Sequence, residues 1–334
     1  MKLSVLAKPF SSFARAAKDA ERRFNLLKYK LKGNKYKAWT CSFTDGGHQD
    51  VLDSVIKGSV SFPCVELLLN PSRRAAAGSV VYVPSGWRAL EDAIELKHSG
   101  EIQALIAGPT VCDLPHMHDY IIADPAVDCC LVASEWVREL FLLETADKYP
   151  DMNIKVWAAG VDHEYWRPHE SCIGKSPCRA LVYVKNSGAE MLPSVASLLS
   201  EINCEFYTIY NGRHTPTDYK AALERADCEI VLGESETQGL AIAQAWSMGR
   251  PTFVYDSPVI SKYHRDYYPK TALKTSCAPY LCGQTGAFWK NTDELAAMLL
   301  RPLDFSPRKW ILENQTNKIA FGKFLEIAES LVGE

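Results

Sequence analysis

Short apolar runs alternate with amphipathic stretches along most of the chain. In the first half, Leu3–Ala7, Lys37–Phe43, Ser79–Val83, Ile102–Ala107, Cys129–Ala133 and Ile154–Ala158 are β-rich runs of strand length. Between them the pattern predicts helices at Phe13–Leu31, Gln49–Lys57, Trp87–Lys97 and Glu135–Asp147. The second half repeats the theme, with strands at Ala180–Val184, Glu229–Leu232 and Thr252–Tyr255 and a helix at Tyr219–Ala226. A helix also runs from Gly239 to a Gly249/Pro251 stop, and a last one from Pro307 to Leu331. Such alternation argues an α/β protein with doubly wound parallel sheets. At 334 residues the chain is too long for one core, so two Rossmann-like domains are expected. Residues 163–178 lose periodicity and collect His, Pro, Gly and Ser, as a linker between them would.

Composition is that of an ordinary soluble protein, 47% hydrophobic and 23% charged. No apolar run approaches the roughly 18 residues needed to span a bilayer, and the N-terminus lacks the apolar region of a signal peptide. Eleven cysteines are scattered without a C-x-x-C pair, which fits reduced thiols in the cytoplasm and argues against a disulfide framework or zinc site. The adjacent Cys129 and Cys130 fall in an apolar strand and read as core. Net charge is −3, but unevenly spread: residues 1–37 carry eleven Lys/Arg and two acids, a balance of +9, leaving −12 elsewhere. Most of that basic charge lies on the Phe13–Leu31 helix, whose apolar stripe is Phe13, Ala17, Phe24, Leu27 and Leu31. Such a helix can lie on an anionic membrane, giving peripheral contact through residues 13–32. Strands predicted on either side favour the other reading, a first crossover helix with its stripe buried and its charges solvated.

The stretch richest in chemistry is Cys228–Ser257, which reads strand, polar loop, helix, strand. It sets Gly239 at a helix start, where unpaired amides and the positive dipole end favour an anion. Glu236 precedes that helix and Gln244 lies inside it, so the two flank the helix N-terminus. A nucleotide-diphosphate sugar suits this layout: diphosphate at the helix end, sugar toward Glu236, ribose toward Gln244. An ordinary crossover helix with an exposed Glu is the plainer alternative.

At Ser235, Glu236, Gly239-Leu240, Ala245, Met248-Gly249 and Pro251 the sequence resembles the donor-site motif of family 4 GT-B glycosyltransferases, with Gln244 where the family has a second Glu. Ala133-Ser134-Glu135-Trp136-Val137-Arg138 resembles the family's strand-end helix start, with Ser134 as N-cap. Ala159-Gly160-Val161-Asp162 and Tyr165-Trp166-Arg167-Pro168 resemble the segment leading out of its first domain. The resemblance is firm over 130–257; before that, Lys8-Pro9-Phe10-Ser11 stands where the family carries a glycine-rich loop. It implies GT-B architecture, two Rossmann-like domains facing across a cleft. The implied division is 1–165 for the acceptor, 166–305 for the donor, and 306–334 returning to the first domain. It also implies transfer of a sugar to an acceptor hydroxyl with retention of configuration. Lys185 matches the family's basic residue at a strand end, where the departing diphosphate needs a cation. The second basic residue of the family is absent; Arg213 could supply that charge or be a solvated loop residue.

Candidate site residues are therefore Glu236 and Lys185 for catalysis, and Ser235, Gly239, Leu240, Gln244 and Arg213 for the donor. Acceptor-side candidates are Asp45, His48, Ser85 and His116, in loops that also read as plain turns. Tyr263–Tyr268, Ala278-Pro279-Tyr280 and Thr285-Gly286 read as loops that could wall the donor or pack on the domain edge. No metal cluster, Walker A pattern or cofactor motif occurs, and no nucleic-acid partner is implied; the partners would be a nucleotide sugar and a carbohydrate or glycoconjugate acceptor. Two rival readings are a catalytically silent sugar- or nucleotide-binding protein and a membrane interaction protein using the basic helix.

Overall fold

The computed structural model describes all residues except 11, 34–45, 169–178, 257–274 and 334. It divides into two compact units, one holding Met1–Lys28, Thr40–Gly160 and Asn317–Glu334, the other holding Tyr29–Trp39 and Val161–Thr316, so that the last residues of the first helix cluster with the second unit.

The first unit is a six-stranded parallel sheet. Strand β1 (Lys2–Val5) leads into helix α1 (Ser12–Leu31), then α2 (Gly46–Ser59), β2 (Glu66–Leu69) and the single turn α3 (Arg73–Ala76). It continues with β3 (Val80–Ser85), α4 (Trp87–His98), β4 (Ala104–Thr110), β5 (Cys129–Val132), α5 (Glu135–Thr145) and β6 (Ile154–Val156). The strand order is β2-β1-β3-β4-β5-β6. Central strands β3, β4 and β5 are almost wholly buried, because helices cover both faces of a parallel sheet. Cys129 and Cys130 are core, as expected.

The second unit holds β7 (Arg179–Val184), α6 (Leu192–Glu201), β8 (Glu205–Tyr210), α7 (Pro216–Arg225) and β9 (Cys228–Leu232). Then follow α8 (Leu240–Ser247), β10 (Thr252–Tyr255), β11 (Gly286–Trp289), α9 (Thr292–Leu299) and α10 (Pro307–Asn314). Its five strands are all parallel in the order β11-β10-β9-β7-β8. In both sheets the second strand of the unit pairs outside the first and the third on its other side. This is the doubly wound order with a switch point beside the first strand.

The last helix, α11 (Asn317–Val332), packs in the first unit. Phe324 sits 4.7 Å from the Tyr82 ring and 5.8 Å from Trp157, and Trp157 Nε1 donates to the Ala320 carbonyl at 2.8 Å. The expected single helix from Pro307 is thus two helices. They break at Gln315–Thr316, where Val161 N donates to the Gln315 carbonyl and Val161 bridges Thr316 as in a parallel strand pair. That backbone pairing replaces the helical hydrogen bonds.

Three more expectations are corrected. Strand β11 opens in a segment read as loop, and β2 lies where no element was expected. Gly286 opens β11, and its backbone runs so close to Thr252 that a Cβ would overlap the Thr252 carbonyl. The Thr285-Gly286 pair is therefore sheet packing. Ser134 occupies the N-cap of α5, but its hydroxyl makes no capping bond and is buried without a partner. The α1 stripe is not core: Phe24, Leu27 and Leu31 are 68%, 60% and 80% exposed. The predicted strand Lys37–Phe43, the Tyr263–Tyr268 loop and the side chains of Phe13 and Ala17 lie outside the described residues.

The seat of α11 rests on Gly58 in α2, where a methyl would overlap the Asn317 carbonyl and Phe321 Cβ. Gly58→Ala should therefore lower stability by about 1–3 kcal/mol, the usual cost of overpacking, although alanine is the better helix former. Urea denaturation checks this; an unchanged or raised midpoint would contradict it.

Candidate functional site

Open parallel sheets present ligands with the loops beyond the carboxyl ends of their strands, at the switch point. In the second unit that point lies between β7 and β9, which pair from Ala180↔Cys228 to Val184↔Leu232. The pairing extends one residue further, since Lys185 N donates to the Leu232 carbonyl at 2.8 Å. The two following loops therefore start side by side, and both need glycine. A Cβ on Gly188 would overlap the Leu232 carbonyl, and one on Gly233 would come within 2.8 Å of Cys277 Sγ.

This approach brings Lys185 and Glu236 together. The Lys185 ammonium pairs directly with Glu236 Oε1, and their side chains are 15% and 22% exposed. Glu236 is fixed by its own backbone, N–H to the Ser276 carbonyl at 2.9 Å. Burial pulls the Lys185 pKa down from 10.5 to about 8, with the nearby Cys277 thiol opposing the drop. Burial also pushes Cys277 up to about 11, against the pull of Lys185. Both trace to the same low-polarity strand end.

Three residues beyond Glu236, Gly239 caps α8 in the left-handed conformation, φ +79°, which a side chain would strain. It turns the chain abruptly from loop into helix, and the first-turn amides of α8 have no helical carbonyl to bond. Leu240 is the first helical residue; Ser235 and Gln244 are half-buried. The far end of α8 is clamped. Ser247 Oγ donates to the Trp166 carbonyl at 2.8 Å, and Arg308 Nη1 donates to the Ser247 carbonyl at 2.6 Å and to those of His163 and Trp166. Trp246 Nε1 donates to Thr252 Oγ1.

The other candidates are scattered. Arg213 follows β8, is exposed, and lays its guanidinium over the Tyr210 ring at 5.3 Å. His116 is bound to Glu144, whose Oε1 lies 2.6 Å from its Nδ1 and 2.7 Å from its backbone N. Ser85 ends β3 and His48 is exposed on α2, while Asp45 lies outside the described residues. Among the described residues no three His, Cys, Asp or Glu gather as metal ligands, and no helix is long and apolar enough to cross a membrane.

Sequence reasoning missed Glu229. An acid within an apolar strand run was the available signal, but its burial was not legible. It is 0% exposed beneath α8. Tyr219 Oη lies 2.6 Å from Glu229 Oε1 and 2.9 Å from the Ala241 carbonyl in the first turn of α8. A phenol has one hydrogen and a carbonyl has none, so a protonated Glu229 supplies the second hydrogen that lets each contact be a full bond. The carboxyl then donates to Tyr219 Oη, and Tyr219 donates to Ala241. Burial acts the same way, raising the Glu229 pKa from 4.5 to about 8.

No protein-family model matches the chain, and no curated protein matches it in sequence. Solved structures do match it in shape. The apo form of the lipopolysaccharide outer core galactosyltransferase WaaB aligns over 98% of each chain, with a TM-score of 0.51 and 11% identity. The catalytic domain of starch synthase IV from Arabidopsis thaliana, bound to ADP and acarbose, aligns over 77% of this chain and 73% of its own, with a TM-score of 0.50 and 9% identity. TarM, at a TM-score of 0.49 and 14% identity, aligns over 75% of this chain and 54% of its own. The chain thus spans little more than half the length of TarM and of the GtfA/B complex chain, where the share is 57%. At these identities the likeness establishes fold: two parallel-sheet α/β domains of the kind found in GT-B glycosyltransferases.

A protonated Glu229 makes stability depend on pH. With its pKa raised from 4.5 to about 8 on folding, the folded chain holds an extra proton across that window. Stability should fall as pH rises from about 4.5 to about 8, and Glu229→Gln, which keeps an N–H donor, should flatten that fall. The lowered pKa of Lys185 acts separately, returning stability between about 8 and 10.5. Parallel pH profiles of the unfolding free energy test this; equal slopes for both proteins below pH 8 would refute a protonated Glu229.

Proposed function

We propose that the protein is a glycosyltransferase that moves a sugar from a nucleotide-diphosphate sugar to the hydroxyl of a carbohydrate or glycoconjugate acceptor. The observation that carries this reading is the convergence of Lys185, Glu236 and the α8 N-terminus at the switch point of the second sheet. Breaking a glycosidic bond to a nucleotide diphosphate leaves growing negative charge on the diphosphate. A lysine and helix-terminal amides, fixed in a poorly solvated strand end, stabilise that charge without reorganising. Glu236 binds sugar hydroxyls and Gln244 the ribose. The ADP and acarbose in the starch synthase structure are ligands of the same general kinds.

Retention of configuration, independence of divalent metal and a cytoplasmic setting complete the reading. They rest on the motif around Glu236 and Gly239, on the cation that Lys185 supplies, and on the thiol-rich composition. Gln244, in place of a second acidic residue, favours one alternative: a domain that binds nucleotide sugars without transferring them. Product formation from a panel of nucleotide sugars, with and without EDTA, separates the two.

Lys185→Ala should slow transfer by about 10²-fold or more, the scale of removing one preorganised electrostatic partner. Nucleotide-diphosphate affinity should weaken as pH rises past about 8, where Lys185 loses its charge, and Lys185→Arg should abolish that decline. Glu236→Ala should abolish transfer yet leave nucleotide binding unchanged or tighter, since it frees the Lys185 ammonium. Calorimetric binding beside an activity assay checks each; full turnover by Lys185→Ala would remove it from the site.

Gln244→Glu tests the ribose assignment. A carboxylate accepts from both ribose hydroxyls, where an amide offers one acceptor and one donor group. The change should tighten nucleotide binding by about 1 kcal/mol, a few-fold to tenfold. Markedly weaker binding in a well-folded variant would show that the Gln244 amide donates elsewhere.

A further inference from the structure

Helix α1 carries the most pronounced exposed apolar feature of the described surface. Phe24, Leu27 and Leu31 are 68%, 60% and 80% exposed, on a single helix. At 100° per residue they fall within about 60° of one another, so they form one stripe. Exposed basic side chains border it on both sides: Lys28 and Lys32 along one edge, Arg23 and Lys30 along the other. No acidic residue occurs between Glu21 and Asp45.

We infer that α1 docks this face on an anionic phospholipid membrane, with Phe24, Leu27 and Leu31 entering the headgroup–acyl boundary and the flanking cations held at the phosphates. Three observations select that occupant. First, an apolar stripe with cations on both edges matches an interface that is oily below and anionic above; lysine and arginine stems extend along the apolar face while their charges remain at headgroup level. Second, α1 is not apolar enough to cross a bilayer, so any membrane contact it makes is interfacial. Third, the +9 of residues 1–37 stands against −12 on the rest of the chain. An anionic surface attracts the basic segment that contains α1 and not the acidic remainder of the chain. A two-fold pair of copies meeting through α1 would instead bring two basic helices together. This inference concerns where the protein works; it does not rest on the donor site or on sugar transfer.

Co-sedimentation of the full chain with sucrose-loaded vesicles tests it, comparing phosphatidylcholine alone with equal parts phosphatidylcholine and phosphatidylglycerol. Partitioning onto the anionic vesicles should exceed that onto neutral ones by about tenfold or more and should fall at high salt. Combining Phe24→Ser, Leu27→Ser and Leu31→Ser should cut binding by about tenfold or more, with the melting temperature unchanged because these side chains are already exposed. Combining Arg23→Glu, Lys30→Glu and Lys32→Glu should remove the preference for anionic lipid. Failure to pellet, equal binding to neutral vesicles, or binding that survives both variants would overturn the inference. So would light scattering that shows a dimer dissolved by the serine variant in a protein that ignores vesicles; the stripe would then belong to a second copy. A chain that transfers no sugar yet behaves as expected here would refute the donor-site reading alone.

Discussion

The parallel pairing of β7 with β9 is the constraint from which the candidate site follows. These strands belong to different crossovers, and their pairing places two strand-end loops together that are 48 residues apart in the chain, Lys185 in one and Gly233 in the other. The ladder runs one hydrogen bond past the strands, through Lys185 N, so the lysine leaves the sheet in a fixed direction. Gly188 lets the backbones approach closely enough for this, Gly233 leaves room for the Cys277 and Lys185 side chains, and Glu236 is then within reach of the ammonium. The ion pair is thus an effect of sheet order, and its burial is what moves the Lys185 pKa.

Helix α8 is held from three sides. Its N-terminus is set by the left-handed Gly239, its C-terminus by Arg308 and Ser247 bonding to the 163–166 turn, and its underside by the chain from Glu229 through Tyr219 to Ala241. An anion-binding helix end works best when its amides do not have to reorganise. A buried neutral acid serves this better than an ionised one, since it adds a hydrogen bond without setting a negative charge beneath the helix.

The first unit repeats the sheet order of the second. The amphipathic pattern of α1 suits a buried crossover and a membrane-lying helix equally, because both require one apolar and one polar face. Exposure of Phe24, Leu27 and Leu31 separates them, and exposure is a property of the folded chain.

What the sequence determined by itself was local. Strand period, Gly and Pro stops and the run of alternation located β1, β3, β5, β7, β9, β10 and most helices to within a few residues, and with them the doubly wound class. The motif around Glu236 and Gly239 fell on a loop and helix beyond the strand ends of the second sheet. Edge segments escaped: β2 and β11 are the outer strands of their sheets and only partly buried, so they lack the fully buried apolar run of the central strands, and β11 exists because β10 offers it an edge. The break at Gln315–Thr316 likewise depends on Val161, more than 150 residues away. Tertiary structure alone decided which polar groups meet. Lys185 and Glu236 became partners, Arg213 turned to Tyr210, His116 turned to Glu144, and Glu229 joined Tyr219 in the core. Hydrophobic periodicity reports which face of an element is buried, whereas side-chain pairing and pKa depend on strand order and on the removal of water, neither of which is written locally in the chain.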